Sequence, residues 1–243
     1  MTGSGHQTLQ SLLLSDEIKR AFLDRWSRLT KPYIGLHIRS TDKSCADAVM
    51  QRTLRRTRRL KRAPELEDAR QVYLASDNPE VPPNFKRVIE EKQGREIVSF
   101  TFHPKPRNMT GVAVSQDPLS RREALERNNF VREKRIEFKQ KGIMPLHLVD
   151  YLSPEEKHRT NVDAFVDLLL LAMSERLITS CGGYGRLAHG LQANKPTVLS
   201  MIGELPAGHD VNDNELDVDA VLQAAAARLL GEPEPEAEPA AEQ

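Results

Sequence analysis

The sequence predicts an α/β fold: a Rossmann-like, doubly wound parallel sheet. Two observations carry that expectation. Short apolar runs of strand length alternate with segments of helical periodicity. Several of those runs end in loops of small and polar residues, the position where open parallel sheets bind ligands. The 243 residues suit one large domain or two small ones.

Residues 1–10 read as disordered. Ser15 to Leu29 places Ile18, Phe22, Leu23 and Trp26 at helical spacing, with Ser15 as the N-cap. Lys31-Pro32 stops that helix, and the apolar run Tyr33 to Ile38 reads as a buried strand. Ser44 to Lys61 reads as a helix that ends near Pro64. Gln71 to Ala75 is a second strand, followed by the loop signature Ser76-Asp77-Asn78-Pro79. Phe85 to Glu91 reads as a helix closed at Gly94, and Glu96 to Phe102 as a third strand. Residues 103–120 form a long loop.

Arg121 to Lys141 reads as a charged helix closed by Gly142, and Leu146 to Val149 as a short strand. Val162 to Ser174 is an apolar helix and Arg176 to Thr179 a strand. Gly182-Gly183-Tyr184-Gly185 reads as a tight turn before a helix from Arg186 to Gln192. Lys195 to Met201 reads as a last strand and Leu216 to Leu230 as a terminal helix. The Glu-Pro-Ala tail beyond it lacks the apolar residues to pack a core. This divides the chain into an N-terminal extension with one helix (1–30), an α/β domain (31–230) and an acidic tail (231–243).

Apolar residues make up 39% and charged residues 29%, with a formal net charge of zero, so no global field calls for nucleic acid or an anionic membrane. No window approaches the ~20 apolar residues of a membrane span. The first residues lack the basic start and apolar stretch of a signal peptide, which points to the cytoplasm. Asn108-Met109-Thr110 is a glycosylation sequon that matters only in a secreted chain. Two cysteines, Cys45 and Cys181, stand outside any CxxC pair and read as free thiols of a reducing compartment.

Three loops carry candidate chemistry. The first, His37-Ile38-Arg39-Ser40-Thr41-Asp42-Lys43, sets an Arg fork and a Lys point charge at a strand end, suited to a phosphate. An ion-pair cluster capping the strand is the plainer alternative. The second offers Ser76, Asp77 and Asn78 as acceptors for a ribose or base edge, or as a simple Asx turn. The third, Thr179-Ser180-Cys181-Gly182-Gly183-Tyr184-Gly185-Arg186, is a glycine-rich strand-to-helix turn whose N–H groups can approach a phosphate. It matches neither a Walker loop nor a dinucleotide fingerprint. No His/Cys/Asp cluster stands at metal-ligand spacing. Residues 51–62 hold seven basic side chains, read as a solvated helix bordering an anion site or, alternatively, as an RNA-associated module.

Together the three loops resemble the GDP-fucose-binding half of the α-1,6-fucosyltransferases, which include nodulation and core fucosyltransferases. His-Ile-Arg-Ser-Thr-Asp-Lys is similar to H-x-R-R-x-D-K, and Tyr73-Leu74-Ala75-Ser76-Asp77-Asn78-Pro79 is similar to YLATDDP. Asp167 with the leucines after it, the strand Arg176 to Thr179, and the turn to Arg186 resemble the third motif. The likeness spans about residues 31–200. It departs at Ser40, at Asn78 and at Cys181-Gly182, where the family has Arg, Asp and a Ser pair, and only about thirty residues precede the first motif.

The resemblance implies the nucleotide-sugar lobe of a GT-B glycosyltransferase and inverting, metal-independent transfer of fucose to an oligosaccharide, with no cofactor. It implies that Arg39 binds the pyrophosphate and stabilises departing GDP, braced by Asp42 and Lys43. Asp77 and Asp167 would lie near the nucleotide. Asp47, four positions after the motif's Lys, would be the general base. His37, Ser76, Asn78, Thr179, Ser180, Gly182, Gly183, Tyr184 and Arg186 complete the expected GDP-fucose site. The expected partners are a nucleotide sugar and an oligosaccharide acceptor. A binding domain without transferase activity is the alternative, and a secretory-pathway lumen is the alternative compartment should the chain be part of a longer one.

Overall fold

The computed structural model describes residues 13–39, 47–76, 83–101, 133, 153–210 and 216–230. The elements are α1 (Asp16–Ser27), β1 (Tyr33–Ile38), α2 (Asp47–Arg59), β2 (Gln71–Ser76), α3 (Pro83–Lys86), β3 (Glu96–Val98), α4 (Pro154–Met173), β4 (Arg176–Thr179), α5 (Gly183–Gln192), α6 (Pro196–Ile202) and α7 (Val218–Leu230). A π-helical stretch, Arg87–Glu91, continues α3. The chain divides into two compact units, Leu29–Ala193 on one side and Met1–Arg28 with Asn194–Gln243 on the other.

In the larger unit the four described strands are all parallel, in the order β3-β2-β1-β4. Every residue of β1 is buried, as a central strand covered on both faces must be. Side chains alternate between those faces. Ile34, Leu36 and Ile38 share one apolar cluster with Val72, Leu74, Ile178, Leu54 of α2, Leu60 in the turn after it, and Phe85, Val88 and Ile89 of the α3 segment. On the opposite face the Tyr33 hydroxyl donates to Leu170 O of α4 at 2.7 Å. Helices therefore cover both faces, and the doubly wound α/β expectation holds at the level of layers and topology.

That close helix needs glycine at position 35. A Cβ there would stand 2.7 Å from Ser174 Oγ and 3.1 Å from Leu177 Cδ1. The strand order places a switch point between β1 and β4: successive crossovers run one way from β1 through β2 to β3, while β4 adds on the other side. A crevice opens at the carboxyl ends of the two strands flanking such a point.

The smaller unit has its own apolar core. Phe22, Leu23 and Trp26 of α1, Val198 and Leu199 of α6, and Leu222 of α7 are buried. The Leu14 N–H donates to Met201 O at 2.8 Å. Glu204 pairs with Lys19 and, at 2.7 Å, with Arg228.

Several local expectations change. Lys195 to Met201, read as a last strand, is the helix α6 from Pro196 to Ile202. Proline at its first turn and Gly203 at φ 73° closing it are helix boundary signals, and they outweigh the β-branched Thr197, Val198 and Ile202. The expected helix Val162 to Ser174 starts earlier, at Pro154. Ser153 Oγ accepts from the Glu156 N–H at 3.2 Å, and Glu156 Oε2 accepts from the Ser153 N–H at 2.7 Å. Ser153-Pro154-Glu155-Glu156 is a capping box legible in the sequence. The third strand stops at Val98, short of Phe102. Ser15 occupies the N-cap of α1, but its side chain makes no capping hydrogen bond. The glycine-rich turn is shorter than expected, because α5 already begins at Gly183.

Cys181 is disulfide-bonded rather than a free thiol. Cys45 is the only other cysteine in the sequence. It follows β1 as Cys181 follows β4, and those two strands are hydrogen-bonded neighbours. The free-thiol expectation rested on sequence spacing, which does not report strand adjacency. The charged helix from Arg121 to Lys141 (apart from Glu133), the strand Leu146 to Val149, the sequon at Asn108 and the acidic tail lie outside the described residues.

Candidate functional site

The candidate site stands at the carboxyl ends of β1 and β4 in the larger unit. Pairing runs from Ile34 with Arg176 to His37 with Thr179. Beyond the ladder, the Ser180 N–H donates to His37 O and the Arg39 N–H donates to Ser180 Oγ, both at 3.0 Å. These two bonds tie the exit of β1 to the exit of β4. The starts of the first and third candidate loops thus meet at one corner, although about 140 residues separate them in sequence.

Arg39 is half-buried there. Its side chain lies over Gly182, with Cδ 3.9 Å from the point a Cβ on residue 182 would occupy. Gly182 sits at φ 103°, a conformation an L side chain rarely adopts, and it is the N-cap of the ten-residue helix α5. The first N–H groups of a helix have no partner within it. A guanidinium-bearing chain and the positive end of a helix therefore meet at one corner, which is a chemistry suited to an oxyanion.

The first turn of α5 is pressed onto β4. A Cβ on Gly185 would meet Thr179 Cβ at 2.8 Å and Cγ2 at 2.9 Å. Glycine here lets the helix N-terminus reach the strand end. Gly183 is exposed in the same turn, and so is Arg186 three residues further on.

Other expected residues turn inward. His37 is 7% exposed, and its ring lies 5.0 Å from that of Tyr184. The Tyr184 hydroxyl donates to Ala164 O of α4 at 2.6 Å. Burial, and then the Asp167 carboxylate nearby, push the Tyr184 phenol well above its ordinary range. Asp167 is 4% exposed, between α4 and the sheet. Its Oδ1 accepts from the Tyr73 hydroxyl and its Oδ2 from Thr101 Oγ1 at 2.7 Å. Tyr73 and Thr101 were not among the expected site residues. A tyrosine on the odd-numbered face of a buried strand, needing a polar partner, was the available signal.

Ser76 is the last residue of β2 and is buried, in register with Ile38. Asp47 is the first residue of α2, the helix that follows the first loop. Asp42, Lys43, Asp77 and Asn78 lie outside the described residues. Among the expected residues, the structure gathers Arg39, Thr179, Ser180, Gly182, Gly183 and Arg186 at one corner, with His37 and Tyr184 packed beneath it.

One electrostatic feature sits further along α5. Burial holds the His189 imidazole below its ordinary pKa, and the positive charges of Arg56 and Arg176 lower it further, opposed by a hydrogen bond with Gln192. The folded state thus favours neutral His189. Its contribution to stability is present above about pH 6.5 and is lost as pH falls through the depressed folded value. In urea titrations, His189→Gln is expected to flatten the loss of stability just below pH 6.5. An unchanged slope would show that His189 is not coupled to folding.

Comparison with protein-family models, with curated proteins and with solved structures finds no match to this chain. No helix among the described residues is long and apolar enough to cross a membrane.

Proposed function

We propose that the larger unit is the nucleotide-sugar-binding domain of a GT-B-like glycosyltransferase that transfers fucose from GDP-fucose to an oligosaccharide hydroxyl, as the motif resemblance implies. The observation that supports it best is the corner where the Arg39 side chain crosses Gly182 at the start of α5. Leaving GDP develops negative charge on its β-phosphate. A held guanidinium and a helix N-terminus stabilise that charge more in the transition state than in the ground state. In the proposed displacement the acceptor oxygen bonds to the sugar's anomeric carbon and the carbon–phosphate-oxygen bond breaks. GDP departs with the bonding electrons, and the acceptor proton passes to a carboxylate, for which Asp47 is the candidate. The disulfide at Cys181 favours an oxidising compartment such as the secretory-pathway lumen over the cytoplasm.

A second reading, binding without transfer, draws on one observation. Tyr184 and Asp167, both expected at the nucleotide, spend their polar atoms on internal partners. Calorimetry with GDP, GDP-fucose and GDP-mannose tests both readings. GDP and GDP-fucose are expected to bind, and indifference to all three removes both. Transfer of labelled fucose to a chitin-type or N-glycan core oligosaccharide, or hydrolysis of GDP-fucose, separates the first from the second. In an active preparation, Asp47→Asn is expected to slow transfer by about 10²–10⁴-fold while sparing GDP affinity. A silent Asp47→Asn would remove that residue as the base.

A further inference from the structure

Helix α2 and the turn after it present Arg52, Arg55, Arg56, Arg58, Arg59 and Lys61, all exposed. None of them forms an ion pair among the described residues. No Asp or Glu occurs from Ala48 to Arg62, although the whole chain is neutral. The other side of the helix buries Thr53, Leu54 and Thr57, and the turn after it buries Leu60, so the helix cannot roll to hide its cations. Helical spacing sets Arg52, Arg55, Arg56 and Arg59 in one row, with neighbours about 5–6 Å apart. The positive field reaches other elements: besides burial, Arg56 of α2 and Arg176 of β4 both disfavour a charge on His189 of α5.

We propose that this face binds a linear acidic oligosaccharide, a sulfated or carboxylated glycan, and that such a chain is the acceptor, the second part resting on the sugar-transfer reading. Guanidinium forks suit a row of oxyanions. The helix is the next described element after β1, and its 13 residues extend about 20 Å. A glycan lying on the basic row is thereby led toward the carboxyl ends of the strands. Nucleic acid fits less well, since residues 47–62 contain no aromatic side chain on which bases could stack. The disulfide at Cys181 also points to compartments whose linear polyanions are glycans. A membrane surface fits less well because the apolar side of α2 is already in the core, leaving nothing to insert into lipid.

Fluorescence anisotropy on the full chain tests this with a labelled heparin-derived oligosaccharide, a neutral chito-oligosaccharide, duplex RNA and anionic phospholipid vesicles. The heparin oligosaccharide is expected to bind best, with an affinity that falls steeply between about 50 and 200 mM salt as exposed charges are screened. Combining Arg52→Gln, Arg55→Gln, Arg56→Gln and Arg59→Gln is expected to weaken it by about tenfold or more. The changes are on an exposed face, and an unchanged melting temperature verifies the fold. Absence of saturable heparin binding, equal binding by the variant, or tighter binding of RNA or vesicles would overturn the proposal. A parallel GDP titration separates the two readings. Glycan binding without GDP binding keeps the basic surface and overturns its role as acceptor site. GDP binding without glycan binding leaves the transferase reading standing and overturns this proposal.

Discussion

Arg39→Ala is expected to weaken GDP binding by about 2–4 kcal/mol, roughly 30- to 1,000-fold, when measured by calorimetry. The size follows from the setting. Arg39 is half-buried, and its chain is confined against the backbone of Gly182. A charge-assisted contact there is less screened than one on an open surface. The variant should still fold, because the bond from position 39 to Ser180 Oγ uses the main-chain N–H. Arg39→Lys keeps the charge but loses the planar fork, and should fall between wild type and alanine. Arg186 is exposed on α5, so Arg186→Ala should cost about 1 kcal/mol or less. Equal GDP affinities for wild type and Arg39→Ala would remove the anion corner and the function built on it.

Asp167→Ala is expected to act on stability, lowering it by about 2–4 kcal/mol. Each carboxylate oxygen accepts a hydroxyl hydrogen bond, one from Tyr73 and one from Thr101. Truncation strands both hydroxyls, at about 1–3 kcal/mol for each that is left buried without a partner. Relief of the carboxylate's own desolvation offsets part of that cost. With roughly 2–4 °C per kcal/mol for a chain of this size, the melting temperature should drop by several degrees or more. GDP affinity measured well below the transition should stay near the wild-type value. Weak GDP binding by an Asp167→Ala protein that melts like wild type would instead place Asp167 at the nucleotide. Asp167→Asn should be milder in melting. It should also let the Tyr184 phenol ionise at a lower pH, since Asp167 contributes, after burial, to holding it protonated.

The two variants also mark how far the site was legible in the sequence. Arg39 and the turn at Gly182 were readable because their chemistry is local: a cation after a buried strand, and glycines between a strand and a helix. Their meeting was not readable, since it depends on β4 pairing with β1 across an interval of more than a hundred residues. Asp167 shows the opposite case. A carboxylate on an apolar helix looks like a ligand contact, and only the packed interior supplies the Tyr73 and Thr101 hydroxyls that occupy it. At α6 the difference between expected strand and observed helix has a local cause. The six residues from Thr197 to Ile202, apolar or β-branched except Ser200, suit a buried strand or a buried helix equally, and the flanking Pro196 and Gly203 carry the decisive information.

What the sequence by itself determined is the set of local elements. Apolar runs dictated β1, β2 and β4, and 3.6-residue periodicity dictated α1, because burying one face is a choice each segment makes through its own side chains. The tertiary structure alone decided the order β3-β2-β1-β4, the disulfide at Cys181, the burial of Asp167, the bond from the Tyr184 hydroxyl to Ala164 O, and the lack of an ion pair to the α2 row among the described residues. These depend on which distant segments become neighbours, and no window of sequence contains both partners.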